Sequence, residues 1–227
     1  MRRPTMRRLL LSVAFLCALG GSAYADVVNS IPGGTVENMP ILNYFGPGPQ
    51  TVVPGITWTS TNASNQGGSV FGFTDGYGFV GNGSWDSALV MAGLNDSFAN
   101  YGVVDTMTFS FANPVSAVGG FINYALGFGT PTIAVYNSSG GLIESTVLSF
   151  STGGGTDSGF FYGFQESSND ISSFTLSDAY VGITDLTTAS ASAPEPSSVA
   201  LFGTVVALAL YFVRRRKAQA RPLPESM

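Results

Sequence analysis

The central part of this 227-residue chain offers two kinds of side chain that could do chemistry, carboxylates and aromatic rings. From residue 26 to residue 193 the sequence has no histidine, lysine, arginine or cysteine. This composition excludes Ser-His-Asp and Cys-His catalysis, lysine Schiff bases and zinc sites built from His or Cys in that part of the chain. It also argues against a nucleic-acid partner, because no positive charge is available there to neutralise phosphates.

Twelve of the fourteen acidic residues lie in this central part, which therefore carries a formal charge of −12. Calcium is the one cofactor that such a composition suggests, because Ca²⁺ takes about 6–8 oxygen ligands from carboxylates, amides and carbonyls and would relieve the repulsion between the acids. No EF-hand spacing is present. The candidate calcium ligands are Asp75, Asp86, Asp96, Asp170 and Asp178. The alternative is that these acids keep the surface soluble and attract only a diffuse cloud of ions.

A pair of carboxylates could also hydrolyse glycosidic bonds, a reaction in which two acids flank the bond at a set separation. With twelve acids, however, some pair falls at any given separation by chance. We therefore predict that the protein is not an enzyme, and a secreted carboxylate-based glycosidase remains the catalytic alternative.

Aromatic side chains in the central part form two groups, and planar rings on glycine-rich loops can stack on sugars. The first group contains Trp85 and Tyr77, which are the candidate sugar-binding residues. The second group lies in residues 160–164 and has the sequence FFYGF. The alternative for both groups is core packing, because buried aromatic rings dominate the interiors of β-sandwiches.

Residues 26–186 are predicted to form an antiparallel β-sandwich, because short β-rich runs alternate with Gly, Asn, Ser and Pro. In the clearest run, 103–111, apolar and polar residues alternate, and Asn113-Pro114 is expected to end it. Gly119-Gly120 is expected to form a bulge in the next run, 115–124. The remaining predicted strands are 56–61, 69–74, 78–80, 132–136, 142–150, 158–164, 172–176 and 180–186, with 88–94 fitting either helix or strand and 137–141 forming a hairpin loop. A closed barrel is the alternative fold, and residues 187–193 are predicted to be a flexible linker.

Residues 1–25 have the layout of a secretory signal peptide. A basic segment precedes the apolar run Leu9–Leu19, and Ala23-Tyr24-Ala25 supplies an A-x-A cleavage site for signal peptidase. A membrane anchor is the alternative, but the apolar run is much shorter than the roughly 20 residues that span a bilayer. Because Cys17 lies in this segment, the mature domain would have no cysteine and no disulfide.

The C-terminal end combines three features in a fixed order: Pro194-Glu195-Pro196, the uncharged run Val199–Val213 and the basic cluster Arg214-Arg215-Arg216-Lys217. As a helix the uncharged run would rise about 22 Å, somewhat less than the roughly 30 Å of a hydrocarbon core. Flanking residues extend the predicted single transmembrane helix to about 197–213. The basic cluster would stay in the cytoplasm and act as a stop-transfer signal, with the acidic domain outside and residues 218–227 as a cytoplasmic tail.

This order of features resembles the PEP-CTERM sorting signal of bacteria that secrete exopolysaccharide, and the resemblance covers residues 194–217. It implies processing by an exosortase near the Pro-Glu-Pro motif, transient membrane anchoring and a final place at the cell surface or in the extracellular matrix. The tail after the arginines is longer than such signals usually carry, and an ordinary single-pass anchor is the alternative. The second half of the central domain also resembles jelly-roll sandwiches of other exosortase substrates, which are similar to carbohydrate-binding modules.

Together these features predict a non-catalytic, exported surface or matrix protein that associates with exopolysaccharide or biofilm. The expected partners are signal peptidase, an exosortase, the membrane and polysaccharide. A calcium-dependent adhesion module is the alternative among non-enzymes.

Overall fold

The computed structural model describes residues 25–95 and 103–191, and within these ranges the chain is built entirely from β-strands. Two antiparallel sheets form a sandwich, which confirms the predicted fold class and replaces the alternative of a closed barrel. The predicted signal peptide, the transmembrane helix and the cytoplasmic tail lie outside the described residues. Within the described ranges, no helix has the length and hydropathy needed to cross a membrane.

The larger sheet has eight strands in the order β1-β14-β11-β16-β9-β6-β3, and β2 pairs with β16 beside this path. Its strands are β1 (Asp26–Val28), β2 (Thr35–Val36), β3 (Tyr44–Phe45), β6 (Ser69–Phe73), β9 (Met91–Asn95), β11 (Ala117–Tyr124), β14 (Phe160–Gln165) and β16 (Tyr180–Ala189).

The smaller sheet has six strands in the order β13-β12-β15-β10-β5-β4. Its strands are β4 (Gln50–Val53), β5 (Ile56–Ser60), β10 (Asp105–Val115), β12 (Thr132–Tyr136), β13 (Leu142–Val147) and β15 (Ile171–Asp178). A separate two-stranded ribbon pairs β7 (Tyr77–Gly78) with β8 (Ser84–Trp85).

The hydrophobic core lies between the two sheets and follows the period-two pattern of the strands. Met107 and Phe109 are fully buried on β10, while the intervening Thr108 is half-buried on the other face. Aromatic rings join the sheets directly: Trp58 of β5 stacks on Phe71 of β6 with ring centroids 5.2 Å apart. These contacts hold the larger sheet, which carries the site described below, against the smaller sheet.

The strand pairing corrects one sequence-based expectation about β10 and confirms another about β11. Asn113-Pro114 does not end β10, which continues to Val115 through a register irregularity between Ser110 and Val115. The predicted bulge at Gly119-Gly120 is confirmed by a register shift between Gly119 and Phe121 against β16.

The predicted linker 187–193 begins too early. Thr187 and Thr188 belong to β16, are each 7% exposed, and pair with both β11 and β2. A run of small polar residues is typical of a linker, but backbone pairing on both sides keeps this segment in the sheet, and β16 ends at Ala189.

Candidate functional site: an aromatic groove beside the first strand

The structure does not support Trp85 and Tyr77 as a sugar-binding face, because both rings are buried. Trp85 is 3% exposed and Tyr77 is 8% exposed. Both pack around Phe79, with ring centroids 4.7 Å and 5.2 Å away respectively. The Trp85 Nε1–H donates a hydrogen bond to the Ser158 carbonyl, and burial, followed by the neighbouring Tyr180, raises the pKa of Tyr77 well above its usual value. These residues therefore form a second, smaller core, and a sugar ring has no access to their faces.

The second aromatic group predicted from the sequence does reach the surface. Phe160 is 47% exposed, and Phe161 is half-buried beside it on β14. Phe161 lies opposite Phe121 of β11, which is 44% exposed, and the two rings meet edge to face with centroids 5.6 Å apart. Sequence analysis did not single out Phe121, although its place directly after Gly119-Gly120 is a usable signal.

Glycine shapes the surface under these rings. A Cβ on Gly119 would come within 2.9 Å of Cε1 of Phe161 and within 2.7 Å of the Tyr162 carbonyl oxygen. Gly119 pairs with Gly163 across the two strands, so no side chain separates the backbones at this point. The absence of a side chain at residue 119 allows the Phe161 ring to lie close to the sheet.

A fourth ring, Phe150, packs against the rings of Phe160 and Tyr162, which lie on the face of β14 opposite to that of Phe161. Phe150 meets Phe160 edge to face at 5.1 Å and stacks on Tyr162 at 5.5 Å. Tyr124 holds Phe150 in turn, because its hydroxyl donates to the Phe150 carbonyl over 2.9 Å and accepts from the Phe150 N–H over 3.1 Å. The positions of Phe160 and Tyr162 are therefore set by packing rather than left to rotamer freedom.

The early end of β1 opens a groove beside these rings. β1 pairs with β14 only as far as Val28, which lies opposite Gly163. Beyond this point the chain turns away at Asn29, and a groove of about 440 Å³ remains. Its lining residues are Asn29, Phe121, Gly159, Phe160, Phe161 and Tyr162. We call this the aromatic groove.

A second groove of about 530 Å³ is lined by residues of β1 and by Gln165, and it shares Asn29 and Tyr162 with the aromatic groove. The two grooves together present exposed rings next to the amide groups of Asn29 and Gln165 and the hydroxyl group of Tyr162. Rings offer faces for stacking, and amides both donate and accept hydrogen bonds. This combination of groups suits a neutral ligand with many hydroxyls.

The five predicted calcium ligands do not meet in one site. Asp75, Asp86 and Asp170 are exposed in three different loops, and Asp96 lies outside the described residues. Asp86 accepts a hydrogen bond from the Ala88 N–H and Asp170 accepts one from the Ser168 hydroxyl, so both also serve local turns. In the ranges that the structure describes, no three acidic side chains come close enough to hold a metal ion together.

Asp178 differs from the other predicted ligands because it is only 1% exposed. Its Oδ1 accepts the Ala179 N–H over 2.7 Å, whereas its Oδ2 is buried without a hydrogen-bond partner. Burial raises the pKa of Asp178 to about 6.

The residue opposite Asp178 in the sheet is Asp105, which accepts hydrogen bonds from the Thr61 hydroxyl over 2.8 Å and from Nδ2 of Asn62 over 2.6 Å. Two carboxylates in unlike environments are a feature of acid–base pairs in enzymes. Here the carboxyl group of Asp178 is shielded from solvent, so it cannot contact a substrate in this structure.

The C-terminal features have an independent match. A family model for the PEP-CTERM protein-sorting motif matches residues 192–217, a range that contains Pro194, Glu195, Pro196 and the basic cluster Arg214–Lys217. No curated protein and no solved structure matches the chain. The matched range lies outside the described residues, so the match rests on sequence. The chain therefore carries a PEP-CTERM protein-sorting motif, which marks it as an exported protein that associates with the membrane in transit and is sorted by an exosortase.

Proposed function

We propose that this chain is a non-catalytic protein of the cell surface or extracellular matrix, and that its β-sandwich binds exopolysaccharide through the aromatic groove. Signal peptidase removes residues 1–25, the C-terminal segment anchors the chain in transit, and an exosortase cuts near Pro194-Glu195-Pro196. The observation that carries the proposal is the sorting motif directly after a domain that has no cationic side chain.

The charge of the domain supports a neutral or cation-bridged glycan as the ligand. Residues 26–191 carry twelve carboxylates and no Lys, Arg or His, so an anionic or nucleic-acid ligand would be repelled. Stacking on aromatic rings and hydrogen bonding to amides do not need charge. The aromatic groove offers both kinds of contact at one edge of the larger sheet.

The same composition supports a role without catalysis. General acid–base chemistry in this domain would have to use carboxylates or tyrosines, because the other common acid–base side chains are absent from the sequence of residues 26–193. The carboxyl group of Asp178, whose pKa burial raises to about 6, is shielded from substrate. Turnover of any polysaccharide in a broad panel by the purified protein would contradict this part of the proposal.

Intact-mass spectrometry of the extracellular fraction tests the sorting. In a host with an exosortase, the extracellular protein should begin at Asp26 and should lack residues 214–227. A Glu195→Ala variant should remain in the membrane fraction with its C-terminal tail, because the cleavage motif is altered. Wild-type protein that stays in the membrane with residues 214–227 attached would instead indicate an ordinary single-pass anchor.

A further inference from the structure

Glu166 is a buried carboxylate whose charge has no partner. The side chain directly follows β14 and is 6% exposed, and its Oε2 is buried without a hydrogen bond. Burial, and then the carboxylates of Asp170, Asp26 and Glu144, raise the pKa of Glu166. The charged groups that affect the pKa of Glu166 thus all carry a charge of its own sign.

No side chain of the domain can supply the missing positive charge. Residues 26–191 contain no Lys, Arg or His. A buried charge without a counter-charge is costly, and natural proteins almost always pair it. The one cationic group that residues 26–191 can themselves supply is a backbone α-ammonium group, which forms only when the chain is cut.

The predicted cut falls beside Glu166. Asp26 lies opposite Gln165 in the β1–β14 pair, and continuing this register by one residue places Ala25 opposite Glu166. Ala25 is 5% exposed and belongs to the core, so it lies on the same inward side as Glu166. Directly opposite residues in antiparallel strands have Cβ atoms about 4.5–5.5 Å apart. The nitrogen of Asp26, one bond beyond Ala25, is therefore within reach of a glutamate side chain.

We propose that removal of the leader creates a binding partner for Glu166, namely the α-ammonium group of Asp26. Water hydrolyses the Ala25–Asp26 peptide bond, Ala25 leaves with the leader as a carboxylate, and the new amine of Asp26 takes up a proton. The ammonium group then forms an ion pair with the Glu166 carboxylate and fixes the first residue of β1 to the end of β14. This inference rests on the proposed cleavage after Ala25.

The ion pair would also link maturation to the proposed ligand site. β1 supplies Val27 and Val28 to the groove that adjoins the aromatic groove. Fixing Asp26 therefore fixes the strand that forms one wall of the surface. In the uncut precursor the amide nitrogen is neutral, and Glu166 has no such partner.

Selective acylation of amines tests the proposal, because residues 26–191 contain no lysine. An amine-reactive acetyl ester would modify the α-amine of the exported, processed protein and, where the tail is still present, Lys217 as an internal reference. A free α-amine has a pKa of about 7.7–8.0, and an ion pair with a carboxylate raises it. At pH 7 we expect acylation of the native wild-type α-amine to be about tenfold slower than in the same protein unfolded in urea.

A Glu166→Gln variant should lose this protection and react at nearly the unfolded rate. Glu144→Gln is the matched control, because it also removes one neighbouring negative charge but leaves the carboxylate of Glu166 in place, and it should keep the protection. Equal rates in native and unfolded wild-type protein would overturn the inference without needing any variant to fold. A mature chain that begins at a residue other than Asp26 would also overturn it, whereas the mass of the C-terminal end reports separately on sorting.

Discussion

Gly129 packs directly against the carboxylate of Asp178, so closely that a Cβ at residue 129 would overlap Oδ1. Gly129 lies in the loop between β11 and β12, and Asp178 is the last residue of β15. The glycine lies against Oδ1, the same carboxylate oxygen that accepts the hydrogen bond from the Ala179 N–H. A side chain at residue 129 cannot be accommodated unless the carboxylate or the loop moves.

Gly129→Ala should therefore destabilise the domain by about 1–3 kcal/mol, the usual cost of adding a methyl group to a filled site. Urea unfolding at pH 7 measures the change. Gly140→Ala is the matched control, because Gly140 also has a positive φ, which disfavours a side chain as it does at Gly129, but a Cβ there meets nothing within 4 Å. Similar effects of the two substitutions would show that the contact with Asp178 is not the cause.

The raised pKa of Asp178 makes the stability of the domain depend on pH. The folded pKa of about 6 lies above the ordinary value of 3.8, so the folded state binds more protons than the unfolded state between these two values. The free energy of unfolding should then increase as the pH falls from 7 towards 4. A shift of this size corresponds to at most about 3 kcal/mol.

Asp178→Asn tests this by removing the titrating group. We expect the variant to be more stable than the wild type at pH 7 and to lose the part of the pH dependence that Asp178 contributes. Urea unfolding at several pH values between 7 and 4 measures both effects. Asp75→Asn serves as a control for the loss of one negative charge at an exposed position. An unchanged pH dependence in Asp178→Asn would contradict the assignment.

Much of the fold could be predicted from the sequence, because the longer strands carry a two-residue alternation that one buried face imposes. The run 103–111 illustrates this: Met107 and Phe109 are buried and the intervening residues face outward. Strands β1 to β4 and β8 were not predicted. They have two to four residues each, too short for a clear alternation. β1, β2 and β3 form through pairing with strands distant in sequence, whereas β4 and β8 pair with their chain neighbours β5 and β7.

The candidate site was only partly predictable for a related reason. An aromatic ring near glycines is equally consistent with an exposed loop and with a buried ribbon. Trp85 belongs to a ribbon because β7 and β8 pair, and the Tyr77 and Phe79 rings beside it pack on Tyr180. The partial exposure of Phe161 depends on β1 ending at Val28 and on Phe121 lying opposite. Both facts follow from strand pairing and register, which the local sequence does not specify.

Trp85→Ala should destabilise the domain by about 3–5 kcal/mol, because it removes a buried indole ring from the second core. Trp85→Phe should cost less, because it keeps most of the packing against Phe79 and loses mainly the hydrogen bond to the Ser158 carbonyl. Urea unfolding measures both variants, and polysaccharide co-sedimentation is measured below their unfolding transitions. A folded Trp85→Phe variant that no longer binds polysaccharide, although it unfolds at the wild-type urea concentration, would restore the sugar-binding role predicted from the sequence.

For the aromatic groove we predict the opposite: substitution of its rings should weaken polysaccharide binding and largely keep the stability of the domain. Phe121 is 44% exposed and Phe161 is half-buried, so Phe121→Ala combined with Phe161→Ala should lower stability only modestly but should weaken polysaccharide binding about tenfold, equivalent to ~1.4 kcal/mol. Co-sedimentation of the exported protein with exopolysaccharide purified from the same host measures the binding. Phe45→Ala is the matched control, because Phe45 is 42% exposed on β3 at the opposite edge of the same sheet. If this control lost as much binding as the double variant, the rings would contribute through general surface hydrophobicity, and the groove would have no specific role.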